Sequence, residues 1–274
     1  MTRANATVVV VAVLALCSVI AAVMATGAPN SHTPEPLDAL IQAYPQHLKA
    51  YDGQNLVWQD GTRMPTPPEV RAREPEQRLS DPDVIDMLAW DYTFQPPTSP
   101  PPTDADPGRA RHQPFFIKMY GDCRQGEVAP NLEKVDWLPE TLGRTLSMTR
   151  VNGAAQALRN VSQELDQLDP KYLKFLDNPA GTYNCRTISG TDRLSMHAFG
   201  AAVDINVSRA NYWRWAKPDD RGERPWQNQI PYEIVEIFER HGFIWGGRWH
   251  HFDTMHFEYR PEFRILYART NESR

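Results

Sequence analysis

Apolar residues recur at spacings of three and four in several parts of the chain, and this pattern predicts helices. The most regular one places Leu158, Val161 and Leu165 on a single face. Another begins with Pro231 at its first position and stops at Gly242, which matches the usual preferences at helix ends. The predicted helical ranges are 36–51, interrupted by Pro45, then 82–90, 151–168 and 231–242.

Short apolar runs bounded by glycine, proline or polar residues predict strands. These runs are 132–137, 145–151, 201–207, 243–245 and 252–259. Strands and helices do not follow a repeating strand-helix-strand order, which favours an α+β fold over a parallel doubly wound sheet. We therefore expect a small, mostly antiparallel sheet with flanking helices. The stretch QPPTSPPPTDADP, residues 95–107, has no apolar content to bury and is expected to be a loop.

The amino-terminal residues have the features of an export signal. After Arg3, residues 7–25 form an uncharged apolar run that ends in small residues, with Ala25 a plausible last residue before cleavage. The run has 19 residues, close to the ~20 that span a bilayer as a helix. Residues 1–28 are thus either a cleaved signal peptide or a retained membrane anchor. Both alternatives place the rest of the chain outside the cytoplasm, in the periplasm or the extracellular space, with no other membrane contact.

The composition excludes some partners and suggests a disulfide. The formal charge of −5 arises from 34 acidic and 29 basic residues, which argues against a nucleic-acid partner because phosphate binding needs a basic surface. Sixteen of the 24 prolines fall within residues 29–114, so composition alone allows this segment to be a semi-rigid stalk. Cys17 lies in the apolar run, and the remaining pair, Cys123 and Cys185, is expected to form a disulfide in an oxidising compartment.

Reactive side chains concentrate in two stretches, SMHAFGAAVD at 195–204 and HHFDTMHFE at 250–258. Imidazole nitrogens and carboxylate oxygens are ligands that zinc prefers, and a catalytic site keeps three of them plus an open position. His197 and Asp204 can converge on one ion, and His256 is the natural third ligand. The chain lacks HExxH, GxSxG and a serine followed three residues later by lysine. A Cys185 nucleophile with a nearby histidine stays an alternative unless that cysteine is in a disulfide.

The first stretch resembles the SxHxxGxAxD motif of the D-alanyl-D-alanine carboxypeptidase family of zinc peptidases, in the VanY-like branch of the LAS group. DTMHFE, at 253–258, is similar to the DxxHF element of the same family. The upstream GTYNCR and the segment IPYEIVEIFERHGFIWGGRW also look like one subgroup of it. The order of these elements along the chain makes the resemblance specific.

The resemblance implies a function and a set of roles. His197, Asp204 and His256 match the family's zinc ligands, Asp253 matches its general base, and Arg186 matches the arginine that holds the oxyanion or carboxylate of the substrate. The expected activity is hydrolysis of peptidoglycan stem peptides, as a D-Ala-D-Ala carboxypeptidase or an L-Ala-D-Glu endopeptidase. A zinc-stabilised cell-wall binding module without catalysis is the alternative. The implied fold is that of LAS and hedgehog-like proteins, built around a single zinc site.

Several finer expectations follow. Ser195, Trp249 and His251 are candidates to contact substrate, although Ser195 is favoured as a residue that holds its turn. Glu258 stands two residues after His256, on the same face of a strand, and is expected to orient that ligand. Because Asp253 and His256 would point to opposite faces of a flat strand, the strand has to begin after Asp253 or contain a bulge.

The resemblance also changes the view of the proline-rich third. VWQDGTRMP and DPDVIDML, within residues 29–114, look like parts of the same subgroup and carry apolar residues that need covering. We therefore expect residues 29–114 to wrap a catalytic domain at 115–268, followed by a polar tail at 269–274.

Overall fold

A computed structural model describes residues 33–272, which form an α+β unit with three antiparallel sheets. The α-helices are α1 (Glu35–Ala43), α2 (Pro75–Ser80), α3 (Gln113–Tyr120), α4 (Ala154–Leu165), α5 (Tyr232–Arg240) and α6 (Glu262–Glu272). The strands are β1 (Leu48–Tyr51), β2 (Asn55–Trp58), β3 (Arg63–Pro65), β4 (Leu132–Trp137), β5 (Arg144–Thr149), β6 (Pro179–Gly181), β7 (Ala202–Asn206), β8 (Phe243–Trp245) and β9 (His256–Tyr259). The predicted export segment, 1–28, lies outside the described residues. Within residues 33–272 no helix has the length and apolar character needed to cross a bilayer.

A four-stranded sheet with the order β6-β7-β9-β8 forms the centre of the fold, and each neighbouring pair is antiparallel. One face is covered by α4 and α5, whose apolar stripes enter a core shared with the β4-β5 hairpin. Phe238 of α5 stacks on Phe257 of β9 with ring centroids 3.9 Å apart. The α+β class and the antiparallel pairing predicted from the sequence are therefore confirmed.

A second core is built largely by the amino-terminal part of the described chain. Leu40, Tyr44 and Trp58 are fully or almost fully buried in it, against Phe115 of α3 and Phe199. Phe199 belongs to the stretch that carries the candidate ligands, and its ring contacts Phe116 and Tyr120 of α3. The core to which the proline-rich third contributes therefore extends to the candidate site through α3. The hydroxyl of Tyr44 donates to Oε2 of Glu262 at 2.6 Å and joins α1 to α6.

The predicted elements around the central sheet are confirmed as α4, α5, β4, β5, β7 and β8, with ends shifted by up to three residues. The prediction for 36–51 is correct only in its first part. The helix ends at Ala43, and residues 48–51 form a strand because they pair with β2. Residues 82–90 contain a single 3₁₀ turn, Ile85–Leu88, in place of a longer helix. The predicted strand 252–259 begins only at His256.

Two further segments have more structure than the sequence indicates. Helix α6 includes residues 269–272 of the expected polar tail, and Arg269 donates to Oδ2 of Asp38 at 2.7 Å. The loop at 95–107 has no helix or strand, as predicted, but its end is not exposed. Asp106 is fully buried, and Gly108 packs so closely on Glu258 that an added Cβ would lie 2.8 Å from the carboxylate.

Candidate metal centre

The turn before β7 fixes the first candidate ligand. Ser195 precedes a 3₁₀ helix, Met196–Phe199, and its Oγ accepts a hydrogen bond from the amide of His197 at 3.3 Å. This is the capping role of a serine at a helix start. The helix ends at Gly200, whose φ of 65° lies in the left-handed region and turns the chain into β7. Ser195 thus holds the turn, as favoured from the sequence, and also lines the adjacent cleft.

Strand register brings the other two candidate ligands together. Asp204 in β7 lies directly opposite His256 in β9. Directly opposed residues of an antiparallel pair have their side chains on the same face, with Cβ atoms about 4.5–5.5 Å apart. The strand starts at His256, after Asp253. Asp253 and His256 therefore do not have to point to opposite faces of one strand, and no bulge is needed.

His197, Asp204 and His256 offer three ligand atoms that lie close together. Nε2 of His197 is 3.2 Å from Nδ1 of His256 and 3.2 Å from Oδ1 of Asp204. Nδ1 of His256 is 3.0 Å from the same carboxylate oxygen. Atoms bound at 2.0–2.2 Å to one tetrahedral zinc ion would be about 3.3–3.6 Å apart, so the spacing is close to that of a zinc site.

The hydrogen bonds of the two rings decide which nitrogens carry protons. Nδ1 of His197 lies 2.6 Å from the carbonyl oxygen of Thr182, so it is the donor in that ring. Nε2 of His256 lies 3.2 Å from Oε2 of Glu258 and donates to it. With neutral rings, the two remaining nitrogens and the oxygen of Asp204 then direct lone pairs at one another. Such a donor set needs a cation, and its N, N, O composition fits zinc.

The pKa shifts of Asp204 and His256 also indicate a cation site. Burial opposes ionisation of Asp204, but His197 and His256 outweigh it and hold the pKa of Asp204 well below its usual range. Burial also opposes protonation of His256, yet hydrogen bonds and charges from Asp204 and Glu258 raise the pKa of His256 to about 10. The pocket between these groups therefore attracts positive charge strongly, as a metal site does.

Behind His256, Glu258 is fully buried and belongs to a network of charges. It pairs with Nη2 of Arg111 at 2.6 Å and with Nη1 of Arg260 at 3.3 Å. Although burial opposes its charge, the two arginines and His256 lower the pKa of Glu258 to about 2. A charged carboxylate at this position fixes the ring orientation of His256, which is the role expected for Glu258.

Asp253 lies beside the ligands without belonging to them. Its side chain is partly buried, and its Oδ1 is buried without a hydrogen-bond partner among the described residues. Burial and the negative charge of Asp204 raise the pKa of Asp253 to about 7. A carboxylate with a free buried oxygen and a pKa near neutrality is suited to accept a proton at physiological pH.

These side chains face a cleft of about 300 Å³. Arg186 lines it from an exposed loop, where Nη1 donates to the carbonyl oxygen of Thr187 at 3.4 Å. Trp249, one of the expected substrate contacts, also lines it and packs on the ring of His256 at 5.5 Å. Four more arginines contribute to the lining, and sequence reasoning missed all of them: Arg109, Arg111, Arg193 and Arg214.

His251 has a different position from the one expected, because it is not among the residues that line this cleft. Its Nδ1 lies 2.6 Å from Oδ2 of buried Asp106, and its amide donates to Oδ1 at 2.9 Å. His251 thus joins the end of the proline-rich loop to the segment that carries Asp253. The signal for this contribution is the stretch DPGRARH at 106–112, which places an acid at the end of the loop and two arginines directly after it.

Cys123 and Cys185 form a disulfide with Cα atoms 5.7 Å apart. Cys123 belongs to a 3₁₀ turn after α3, and Cys185 immediately precedes Arg186. The bond therefore anchors the start of the exposed arginine loop to the second core. A cysteine nucleophile at position 185 is excluded in this bonded form, since catalysis needs a free thiolate.

An α+β fold with converging histidines, a free carboxylate and arginines around one cleft defines a site suited to hydrolysis. Residues 189–259 match the family model described as D-alanyl-D-alanine carboxypeptidase. The resemblance read from the sequence is thereby confirmed over residues 189–259, which are similar to that family of peptidases. Searches of curated proteins and of solved structures gave no match. The match includes the three candidate ligands and Asp253, whereas Arg186 lies just before it.

Proposed function

We propose that the protein is a zinc-dependent peptidase that hydrolyses peptide bonds in peptidoglycan stem peptides. The observation that carries this proposal is the convergence of three lone-pair atoms, from His197, Asp204 and His256, next to the unpartnered carboxylate oxygen of Asp253. The match of the same segment to a peptidase family supports it. Peptidoglycan is the substrate class that the family description and the predicted export signal favour together.

Each residue has a part in this mechanism. His197, Asp204 and His256 would hold zinc, which, when bound, lowers the pKa of water to about 7 and so supplies a nucleophile at neutral pH. Asp253 accepts the proton of the attacking water and returns it to the leaving amine, for which its raised pKa is suited. Glu258 keeps the ring of His256 in the tautomer that leaves Nδ1 free.

Arg186 is proposed to bind the developing oxyanion or a carboxylate of the substrate. Its guanidinium is always charged and donates in a fixed fork, which suits this task better than lysine. It lies on an exposed loop at the cleft. Loss of one oxyanion donor typically costs about 2.7–4 kcal/mol of transition-state stabilisation.

The proposed site of action is outside the cytoplasm. The predicted signal or anchor at 1–28 would bring the catalytic unit to the periplasm or the cell exterior, where its substrate is found. The disulfide between Cys123 and Cys185 is in keeping with an oxidising compartment. The partner is then the peptide of the cell wall, with no role for nucleic acid.

Mass spectrometry of defined peptidoglycan fragments after incubation tests this function and identifies the bond that is cut. We expect cleavage by the zinc-loaded protein and loss of cleavage in excess chelator. Asp253→Ala is expected to keep zinc but lose turnover, whereas His256→Ala loses both. Full turnover by Asp253→Ala would refute the assigned base. Binding of fragments without any cleavage would favour a non-catalytic wall-binding module instead.

A further inference from the structure

The arginines that line the cleft outnumber the carboxylates that line it. Five arginines line it, whereas its carboxylates are those of Asp204 and Asp253. Asp204 faces the two candidate histidine ligands, with Oδ1 at 3.2 Å from Nε2 of His197 and at 3.0 Å from Nδ1 of His256. Among the described residues, the only one of the five arginines within 4.0 Å of a carboxylate is Arg111, which pairs with Glu258.

Two of the remaining arginines form a pair at partly buried positions. Nη1 of Arg193 donates to the backbone carbonyl oxygen of Arg109 at 3.0 Å. Nη1 of Arg109 lies 3.4 Å from the backbone carbonyl oxygen of His251. A guanidinium has five N–H donors, so each of these bonds positions its arginine and leaves most donors free.

The surroundings of Arg193 are electropositive. Burial and the charges of Arg111 and Arg109 lower the pKa of Arg193 to about 10, even though Asp192 opposes the shift. Arg111 is almost fully buried in the same lining, and its Nε has no hydrogen-bond partner among the described residues. Cationic groups held together at partial burial are stabilised by an anion, and a carboxylate matches the guanidinium fork in shape.

We propose that Arg109 and Arg193 form an anion subsite that binds a carboxylate of the substrate other than the group bound by Arg186. The subsite rests on the proposed function, because it concerns the substrate of the same cleft. It makes the cleft selective for acidic peptides, which carry a free carboxylate in addition to the one at the chain terminus. Arg109 comes from the end of the proline-rich loop and Arg193 from the loop before the first candidate ligand. The amino-terminal third of the described chain thereby contributes to substrate selection.

Two synthetic stem peptides test the subsite. They share one sequence and a free terminal carboxylate, but the other carboxylates are free in the first and carboxamides in the second. For the full-length zinc-loaded protein we expect kcat/KM to be about 10- to 100-fold higher for the acidic peptide, as for a charge-assisted hydrogen bond worth 1.5–3 kcal/mol. Arg193→Gln and Arg109→Gln should each reduce this ratio by about tenfold or more, mainly through KM.

Two further variants serve as controls. Arg144→Gln removes one charge at an exposed end of the β4-β5 hairpin, outside the cleft lining, and should leave the ratio unchanged. Arg193→Lys keeps the charge but loses the fork, so an intermediate ratio is expected even if the glutamine variant folds poorly. An equal rate for both peptides in the unaltered protein, or an unchanged ratio in both glutamine variants, would overturn the subsite.

A binding measurement separates this inference from the proposed function. Calorimetry with zinc-loaded Asp253→Ala protein compares the two peptides without turnover. Preferential binding of the acidic peptide that disappears with an added Arg193→Gln would support the subsite, even if no peptide is ever cleaved. Cleavage of both peptides with no binding preference would leave the peptidase function in place and refute the subsite.

Discussion

Nε2 of His256 donates a hydrogen bond of 3.2 Å to Oε2 of Glu258, two residues further along the same strand. Residues spaced by two point to one face of a strand, so the local geometry is set by the sequence DTMHFE itself. Glu258 is in turn held by Arg111, which lies directly after the proline-rich loop. The orientation of a candidate metal ligand thus depends on a segment that lies almost 150 residues earlier in the chain.

Glu258→Gln is expected to weaken zinc binding by about 10- to 100-fold, the usual effect of losing a carboxylate that orients a ligating histidine. The change removes the negative charge that fixes the tautomer of His256 and leaves Arg111 and Arg260 without their shared partner. Competition with a fluorescent chelator measures the affinity. An unchanged zinc affinity would show that Glu258 has no part in holding His256.

Glu262→Gln is the matched control for this variant. Glu262 is equally buried and pairs with Arg260, but its other contact is the hydroxyl of Tyr44 in place of a candidate ligand. We expect a lower free energy of unfolding for this variant with zinc affinity preserved. The pair of variants separates general damage to the buried charge network from the specific effect on His256.

Gly108→Ala is expected to disturb the ion pairs of Glu258, because Gly108 directly follows the proline-rich loop and packs against this carboxylate. A Cβ at this position would lie 2.8 Å from both Oε1 of Glu258 and Cδ1 of Ile244, and φ is +90°. Glu258 is held by ion pairs and Ile244 is fully buried, so neither moves aside easily. We expect a loss of about 1–3 kcal/mol in the free energy of unfolding, together with weaker zinc binding.

Gly126→Ala controls for backbone strain alone. Gly126 also has a positive φ, +78°, but no atom lies within 4 Å of a Cβ built there. This variant should lose about 1 kcal/mol of stability and keep its zinc affinity. Equal zinc affinities for the two alanine variants would contradict the proposed coupling between the loop and Glu258. Urea denaturation and chelator competition provide the two measurements.

The sequence predicts the central part of this molecule well because its signals are local. The motif around His197 and the element around His256 carry their chemistry in short stretches. Helices α4 and α5 have regular apolar periodicity, and β7 and β8 are short apolar runs. The requirement that the strand begin after Asp253 or contain a bulge follows from side-chain alternation alone. The convergence of Asp204 and His256 needs only one antiparallel pairing to be correct.

What the sequence did not show depends on contacts between distant segments. Residues 48–51 form a strand because β2 pairs with them, and tertiary pairing overrides the local helical pattern. Arg109 and Arg193 are 84 residues apart, and no periodicity or motif relates them before the chain is folded. The sequence makes His251 a candidate substrate contact, whereas in the structure its Nδ1 lies 2.6 Å from Oδ2 of buried Asp106, in a loop without apolar content.

Removal of the disulfide between Cys123 and Cys185 is expected to lower the free energy of unfolding. The cysteines are separated by 62 residues, and closing a loop of this length corresponds to about 4 kcal/mol in the chain-entropy account. Because Arg186 directly follows Cys185, we also expect a higher KM with zinc content retained. The Cys123→Ser/Cys185→Ser protein should be insensitive to reductant, whereas the unaltered protein loses stability in it; the absence of this difference would contradict the prediction.

Asp106→Asn tests the bond between the loop and His251 through its pH dependence. Asp106 is fully buried, and burial alone would raise its pKa, but hydrogen bonds from His251 and the charge of Arg109 lower the pKa below the ordinary 3.8. A carboxylate with a lowered pKa in the folded state stabilises the protein above its unfolded-state pKa, and this stability is lost as pH falls through the folded-state value. At pH 7 we therefore expect the variant to be less stable by about 1.5–3 kcal/mol, with the difference shrinking below about pH 4.

Urea denaturation between pH 7 and pH 3 measures this difference. Asp104→Asn is the control, because Asp104 is an exposed acid in the same loop and lies 3.9 Å from His250. An exposed pair at this distance contributes little, so its substitution should change stability by less than about 0.5 kcal/mol at any pH. If Asp106→Asn and Asp104→Asn behaved alike, the bond from Asp106 to His251 would not be what attaches the proline-rich loop to the segment of Asp253. A difference that grew as pH fell would have the wrong sign for a carboxylate that is charged in the folded state.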